Sequence, residues 1–282
     1  QLVSSVAFDP SQGKMVTASP TDRSRIFDYN SGDQVALVAP HKREYYVSEA
    51  CFSLDGKLIA ACTFGGEIGI FDATSGCELA TIRSEHRVRF KSVQFLPLST
   101  SRDVISTDGG SSVYDFYTEK SIEILPENYG GWITCTDVNQ DGTKAAHGYG
   151  NGLVRICGIS NNNVPNEYIN KHEGTINEVA FTGSGSHFIT VSSFADIRGW
   201  TSDTGRHVGD LVEFSGPGLE SIAFRASTES MLGYSRELCE YQFSSEAGLE
   251  LAKYYGDIHS GGRYVSVSPR DDVVLTGSTN GS

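Results

Sequence analysis

Few residues in this chain have the type and spacing that chemistry needs. Asp137-Val138-Asn139-Gln140-Asp141-Gly142 matches the opening of a calcium-binding loop, in which carboxylate and amide oxygens surround a hard cation. That loop takes a bidentate glutamate at its twelfth position, and here the twelfth residue is Gly148. The segment therefore reads as a turn. Gly148-Tyr149-Gly150-Asn151-Gly152 has the glycine density of a phosphate loop, but such a loop works by feeding an anion onto a helix N-terminus. The residues that follow, Leu153–Ile156, read as a strand, so these glycines read as a hairpin turn. Histidines at 41, 86, 147, 172, 187, 207 and 259 show no ligand spacing, and no G-x-S-x-G, H-E-x-x-H or C-x-x-C motif is present. An enzyme would need convergent carboxylates or a metal set, and the sequence assembles neither. It points to no catalytic residue, no metal site and no cofactor.

The elements that position these residues are short and repeated. His172–Gly205 shows apolar alternation at Ile176–Val179–Phe181, at Phe188–Val191 and at Ile197–Trp200, separated by Thr182-Gly-Ser-Gly-Ser186 and closed by Ser202-Asp-Thr-Gly205. Three strands joined by tight turns is the direct reading. A meander this small cannot bury its own apolar face and needs neighbours. The same unit recurs: Phe8, Phe52, Phe95, Val138, Phe181, Phe224 and Val267 are spaced by 44 and then by 43 residues throughout. A second series falls 19 residues later, at Phe27, Phe71, Tyr114, Cys157, Trp200 and Phe243.

A period in the low forties with four strands per unit resembles the WD40 repeat. His41, His86, His172 and His259 stand where that family places the histidine of its Gly-His pair, although no glycine precedes them. Trp200 stands at the Trp-Asp position but is followed by Thr201, while Phe27-Asp28, Phe71-Asp72 and Tyr114-Asp115 keep the aspartate. The resemblance implies an all-β, seven-bladed WD40-type β-propeller occupying 1–282 as one domain. Its repeats would be approximately 3–38, 47–82, 90–125, 133–169, 176–213, 220–255 and 263–282. The last repeat has only two strand-like runs, so the last blade is expected to be incomplete in this chain and completed by residues beyond its ends. The resemblance also implies a buried set of His172, Ser192, Trp200 and Asp196, and a second of His86, Ser106, Tyr114 and Asp108. Such sets stabilise a blade and do no chemistry.

Composition narrows the partners. Against 22 Lys and Arg stand 35 Asp and Glu, a formal net charge of −13. That argues against nucleic acid or an anionic membrane as the main ligand, since both reward a positive surface. Six cysteines without a paired framework fit reduced thiols and an intracellular setting. No apolar run approaches membrane-spanning length.

In the WD40 scheme, the loops before the first strand and between the second and third crowd one face around the central channel. That scheme places Tyr45, Tyr46, Arg87, Arg89, Trp132, Tyr149, Phe194, Tyr234, Arg236, Arg263 and Tyr264 near this face. Aromatics and arginine dominate binding hot spots because they join apolar area to directed polar contacts. The expectation is a non-catalytic scaffold in a larger polypeptide or assembly, binding proteins or peptides, with an acidic or phosphorylated peptide as the alternative ligand.

Overall fold

The computed structural model describes the chain apart from residues 1–2, 11–12, 22, 39–46, 84–89, 98–102, 108–109, 117, 119, 126–130, 160–166, 170–171, 195, 211–218, 226–229, 235–236, 245–247, 258–261, 269–272 and 279–282. Every sheet is an antiparallel meander in chain order. The first holds β1 (Ser5–Phe8), β2 (Lys14–Ala18), β3 (Ser24–Asp28) and β4 (Gln34–Val38). The second holds β5 (Val47–Phe52), β6 (Leu58–Thr63), β7 (Glu67–Asp72) and β8 (Glu78–Arg83). The third holds β9 (Ser92–Phe95), β10 (Asp103–Thr107), β11 (Ser111–Asp115) and β12 (Lys120–Leu125). The fourth holds β13 (Ile133–Val138), β14 (Lys144–Tyr149), β15 (Val154–Gly158) and β16 (Glu167–Ile169). The fifth holds β17 (Ile176–Phe181), β18 (His187–Ser192), β19 (Ile197–Thr201) and β20 (His207–Asp210). The sixth holds β21 (Ser221–Arg225), β22 (Ser230–Tyr234), β23 (Glu237–Ser244) and β24 (Gly248–Asp257). A two-stranded sheet, β25 (Gly262–Val267) with β26 (Val274–Ser278), follows.

The core lies between consecutive sheets. Val16 and Ile26 of the first sheet pack with Phe52, Ile59 and Phe71 of the second. Cys135, Val154 and Ile156 meet Ile176, Phe188 and Trp200, and Leu232, Tyr234 and Leu238 meet Val265. A sheet covered on both faces leaves its second strand no solvent side. β6, β14 and β18 are accordingly buried at every position after the first. This is why polar residues inside them, such as His147 and Thr190, are buried as fully as their apolar neighbours. The outer strands β4 and β8 keep exposed positions.

The first strands of successive sheets pack side by side around one axis, and β25 packs against β1. At that junction a Cβ placed on Gly277 would sit 3.1 Å from Val3 Cγ1. The chain is thus an all-β propeller whose last described sheet touches its first. Among the described residues no helix is long and apolar enough to cross a membrane.

The buried histidine set of the fifth sheet differs from the expected one. Thr190, not Ser192, is the hydroxyl involved: Trp200 Nε1 donates to Thr190 Oγ1 at 2.8 Å, and His172 Nε2 lies 2.7 Å from the same oxygen. Thr190, having accepted from the indole, donates its own proton to Nε2. The remaining proton of His172 therefore sits on Nδ1 and faces Asp196 Oδ2 at 3.0 Å. Burial lowers the His172 pKa to about 4 despite the nearby Asp196 carboxylate, which agrees with a neutral ring. Of the second set, only Tyr114 has a described side chain.

Candidate interaction face at the channel mouth

The inner strand of each sheet turns one edge toward the axis, and an open edge must find partners for its backbone. Side chains of the preceding sheet supply them. Ser4 Oγ donates to Val47 O at 2.9 Å and Ser48 Oγ to Phe90 O at 3.0 Å. Thr134 Oγ1 donates to Ile176 O at 2.6 Å and Asn177 Nδ2 to Leu219 O at 3.4 Å. Ser48, Thr134 and Asn177 are each the extra residue of a β-bulge in β5, β13 and β17. The bulge turns that side chain out of the ladder and toward the next sheet. Lys91 and Glu220, both exposed, occupy the same repeat position in the third and sixth sheets.

Three carboxylates of the inner strands β5, β13 and β17 work in the same way. Glu49 Oε2 accepts the Val93 N–H at 3.1 Å, and Asp137 Oδ2 accepts the Phe181 N–H at 2.7 Å. Glu178 bonds the Ser221 hydroxyl, and Ser221 Oγ in turn accepts the Val265 N–H at 3.2 Å. All three line an axial cavity of about 870 Å³, together with Glu220 and Lys91. Burial raises Glu178 to about 8, with Glu49 and Asp137 adding like charge. Burial raises Glu49 to about 7, and Asp137 is raised for the same reason. Sequence reasoning did not single out Glu49 or Glu178 and read Asp137 only as part of a turn. The signal was available in the repeat: Glu49 and Glu178 stand three residues before Phe52 and Phe181, and Asp137 one before Val138.

Exposed aromatics neighbour residues of the cavity wall in the chain, Phe194 beside Ser193 and Trp132 two residues before Thr134. Trp132 is 65 % exposed and Phe194 72 %, and Phe64 of the β6–β7 turn lines the cavity itself. Trp132 lies over Gly150, where an added Cβ would come within 2.3 Å of the indole. Its carbonyl accepts the Gly150 N–H at 3.0 Å. Phe194 lies over Gly174, where a Cβ would meet the ring at 2.6 Å. Thr175 Oγ1 donates to Gly150 O at 2.9 Å, so the two glycine seats form one continuous floor between the fourth and fifth sheets. Side chains on that floor would lift both rings.

The other anticipated face residues divide. Tyr264 is half-buried and lines the cavity. Tyr149 and Tyr234 are buried, at 1 % and 0 % exposure, and offer no surface. Each is the last residue of its strand rather than part of the loop after it, so its ring packs between sheets. Tyr45, Tyr46, Arg87, Arg89 and Arg236, and the side chain of Arg263, lie outside the described residues.

The two segments with apparent ligand spacing serve turns. Asn139 Oδ1 accepts the Thr143 and Lys144 N–H groups at 3.0 and 2.9 Å, and Asp141 Oδ1 accepts the Thr143 N–H at 2.9 Å. Asp137, the first residue of that motif, points the other way, into the channel. Gly152, with φ of 85°, closes the β14–β15 hairpin through its N–H to Tyr149 O at 3.1 Å.

Comparison with solved structures agrees with the architecture. A chain from a crystal structure of the mitotic checkpoint complex superposes with a TM-score of 0.85 at 17 % identity, over 98 % of this chain and 84 % of that one. The Cps50 (Swd1) β-propeller domain from Myceliophteria thermophila superposes with a TM-score of 0.82 at 12 % identity, over 99 % of this chain and 94 % of that domain. At these identities the likeness is one of fold. No protein-family model matches the sequence, and no curated protein matches it.

Proposed function

We propose that this chain is a non-catalytic protein-interaction module: a WD40-type ring of seven blades, the last one short, working inside the cell as part of a larger polypeptide or assembly. The observation that carries this reading is the exposed Trp132–Phe194 pair on its glycine floor beside the channel mouth. Trp132 and Phe194 are the most exposed of the large apolar side chains described, and large rings near one another on a surface favour contact with a partner. The channel carboxylates support a non-enzymatic role, because each holds the backbone or hydroxyl of the next sheet. One of the solved structures of similar fold is a complex of several proteins, which is the setting this reading expects. Affinity purification from cell extract, comparing wild type with Trp132→Ala/Phe194→Ala, tests it. Loss of a defined partner with the double variant supports the face; retention of every partner moves the interaction to another surface.

A further inference from the structure

The partner of this face has a charge that can be read from what lies beneath the aromatic pair. The expectation of an acidic ligand rested on Arg87, Arg89, Arg236 and Arg263, whose side chains are not among those described. Among the described residues that line the cavity, Glu49, Asp137, Glu178 and Glu220 stand against one cation, Lys91. The whole chain adds a net charge of −13, so the long-range field favours the approach of positive segments. Locally, Ser193 and Thr175 belong both to the cavity wall and to the loops that carry Phe194 and the glycine floor. The exposed rings and the carboxylate-lined cavity are therefore one continuous surface. An aromatic face attracts a guanidinium or ammonium through its quadrupole, and the carboxyl groups lining the cavity below it can ionise to pair with the same group.

We infer that this face docks an extended, arginine- or lysine-bearing segment of a partner protein, laid across Trp132 and Phe194 with a basic side chain directed into the channel. The inference rests on the reading of this face as the binding surface and adds the chemistry of what binds. Carboxyl groups whose pKa values burial has raised lose protons when a cation enters beside them. Binding of a basic segment therefore strengthens as pH rises from 6 to 8.5.

The test uses the whole chain and two fluorescein-labelled ten-residue peptides, one alternating arginine with glycine and one alternating glutamate with glycine, read by fluorescence anisotropy. The expected result is saturable binding of the basic peptide only. Trp132→Ala/Phe194→Ala should weaken it about tenfold or more. Glu178→Gln should weaken it and flatten its pH dependence, with folding of each variant checked by its thermal transition. Asp33→Asn, which removes an exposed charge far from the mouth in sequence and sheet, should leave it unchanged. Equal binding by all variants would mean general attraction to a negative surface and would overturn the inference. Tighter binding of the glutamate peptide would overturn it while leaving the face intact. If neither peptide binds, the inference falls, and the extract experiment above decides separately whether the face does.

Discussion

The fourth and fifth sheets place a buried histidine beside a threonine, and they do so from opposite directions. In the fifth, His172 precedes the sheet and reaches in to Thr190, Trp200 and Asp196. In the fourth, His147 lies within β14 itself, with Nδ1 2.8 Å from Thr136 Oγ1 and Nε2 3.3 Å from Cys157 Sγ. Cys157 fills the place that Trp200 holds in the fifth sheet. One network ties a loop and a turn to the sheet, while the other ties the sheet only to itself. The difference bears on the face above. Asp196 closes the turn that carries Phe194, so the His172 network holds that ring's seat. Trp132 depends on the Gly150 contact and one backbone bond.

The sharpest way to break the comparison is to remove the two equivalent core residues. Trp200→Ala empties the largest fully buried side chain and frees Thr190 and His172 of a partner; the expected loss is about 3–5 kcal/mol in denaturant unfolding. Cys157→Ala removes one sulfur atom, and about 1 kcal/mol is expected. Equal losses would mean that Trp200, despite its volume and its bond to Thr190, stabilises its sheet no more than Cys157 does.

Acid and base separate the same regions from the channel. His172 has a lowered folded pKa, about 4 against 6.5, so the stability it contributes is present above 6.5 and lost as pH falls toward 4. Glu178 has a raised folded pKa, about 8 against 4.5, so its contribution is present below 4.5 and lost as pH rises toward 8. Thermal unfolding across pH 4–9 should show both slopes. Glu178→Gln should remove much of the fall between pH 5 and 8 without altering the acid side. A Glu178→Gln profile parallel to wild type would contradict the assignment.

A third test sharpens the contrast between the two seats. Gly150→Ala should displace Trp132, shifting its fluorescence and weakening partner binding about tenfold, while the unfolding midpoint moves little because the indole is already in water. The smallest effect is expected at the far ends of the sheets. There Lys14 Nζ donates to Ala73 O at 3.1 Å and Lys144 Nζ to Ser202 O at 3.1 Å, two equivalent bridges between neighbouring sheets. Lys144→Met should move the unfolding midpoint least of these variants, since its partner Asp203 is largely in solvent.

Much of the fold was legible because repetition averages out local ambiguity. The 43-residue register places Phe8, Phe52, Phe95 and Phe181 at the ends of first strands, and they are buried there. What resisted reading was anything decided by which of two nearby residues is closer. Thr190 and Ser192 share one face of β18, so period alone cannot choose between them; the indole of Trp200 reaches diagonally to Thr190. Tyr149 and Tyr234 are the last residues of their strands and are sealed between sheets, whereas Trp132 and Phe194, outside theirs, are exposed. The channel acids were hidden for another reason. Glu49, Asp137 and Glu178 belong to three different repeats, and only closing the ring brings them to one cavity.

The measurement that addresses the central claim most directly is hydrogen–deuterium exchange on the chain alone and bound to a partner captured from extract. The account predicts new protection at Gly150–Gly152, at Gly174 and Thr175, and at Ser193 and Phe194. Protection confined to the outer strands β4, β8 and β24, with these turns unchanged, would contradict it.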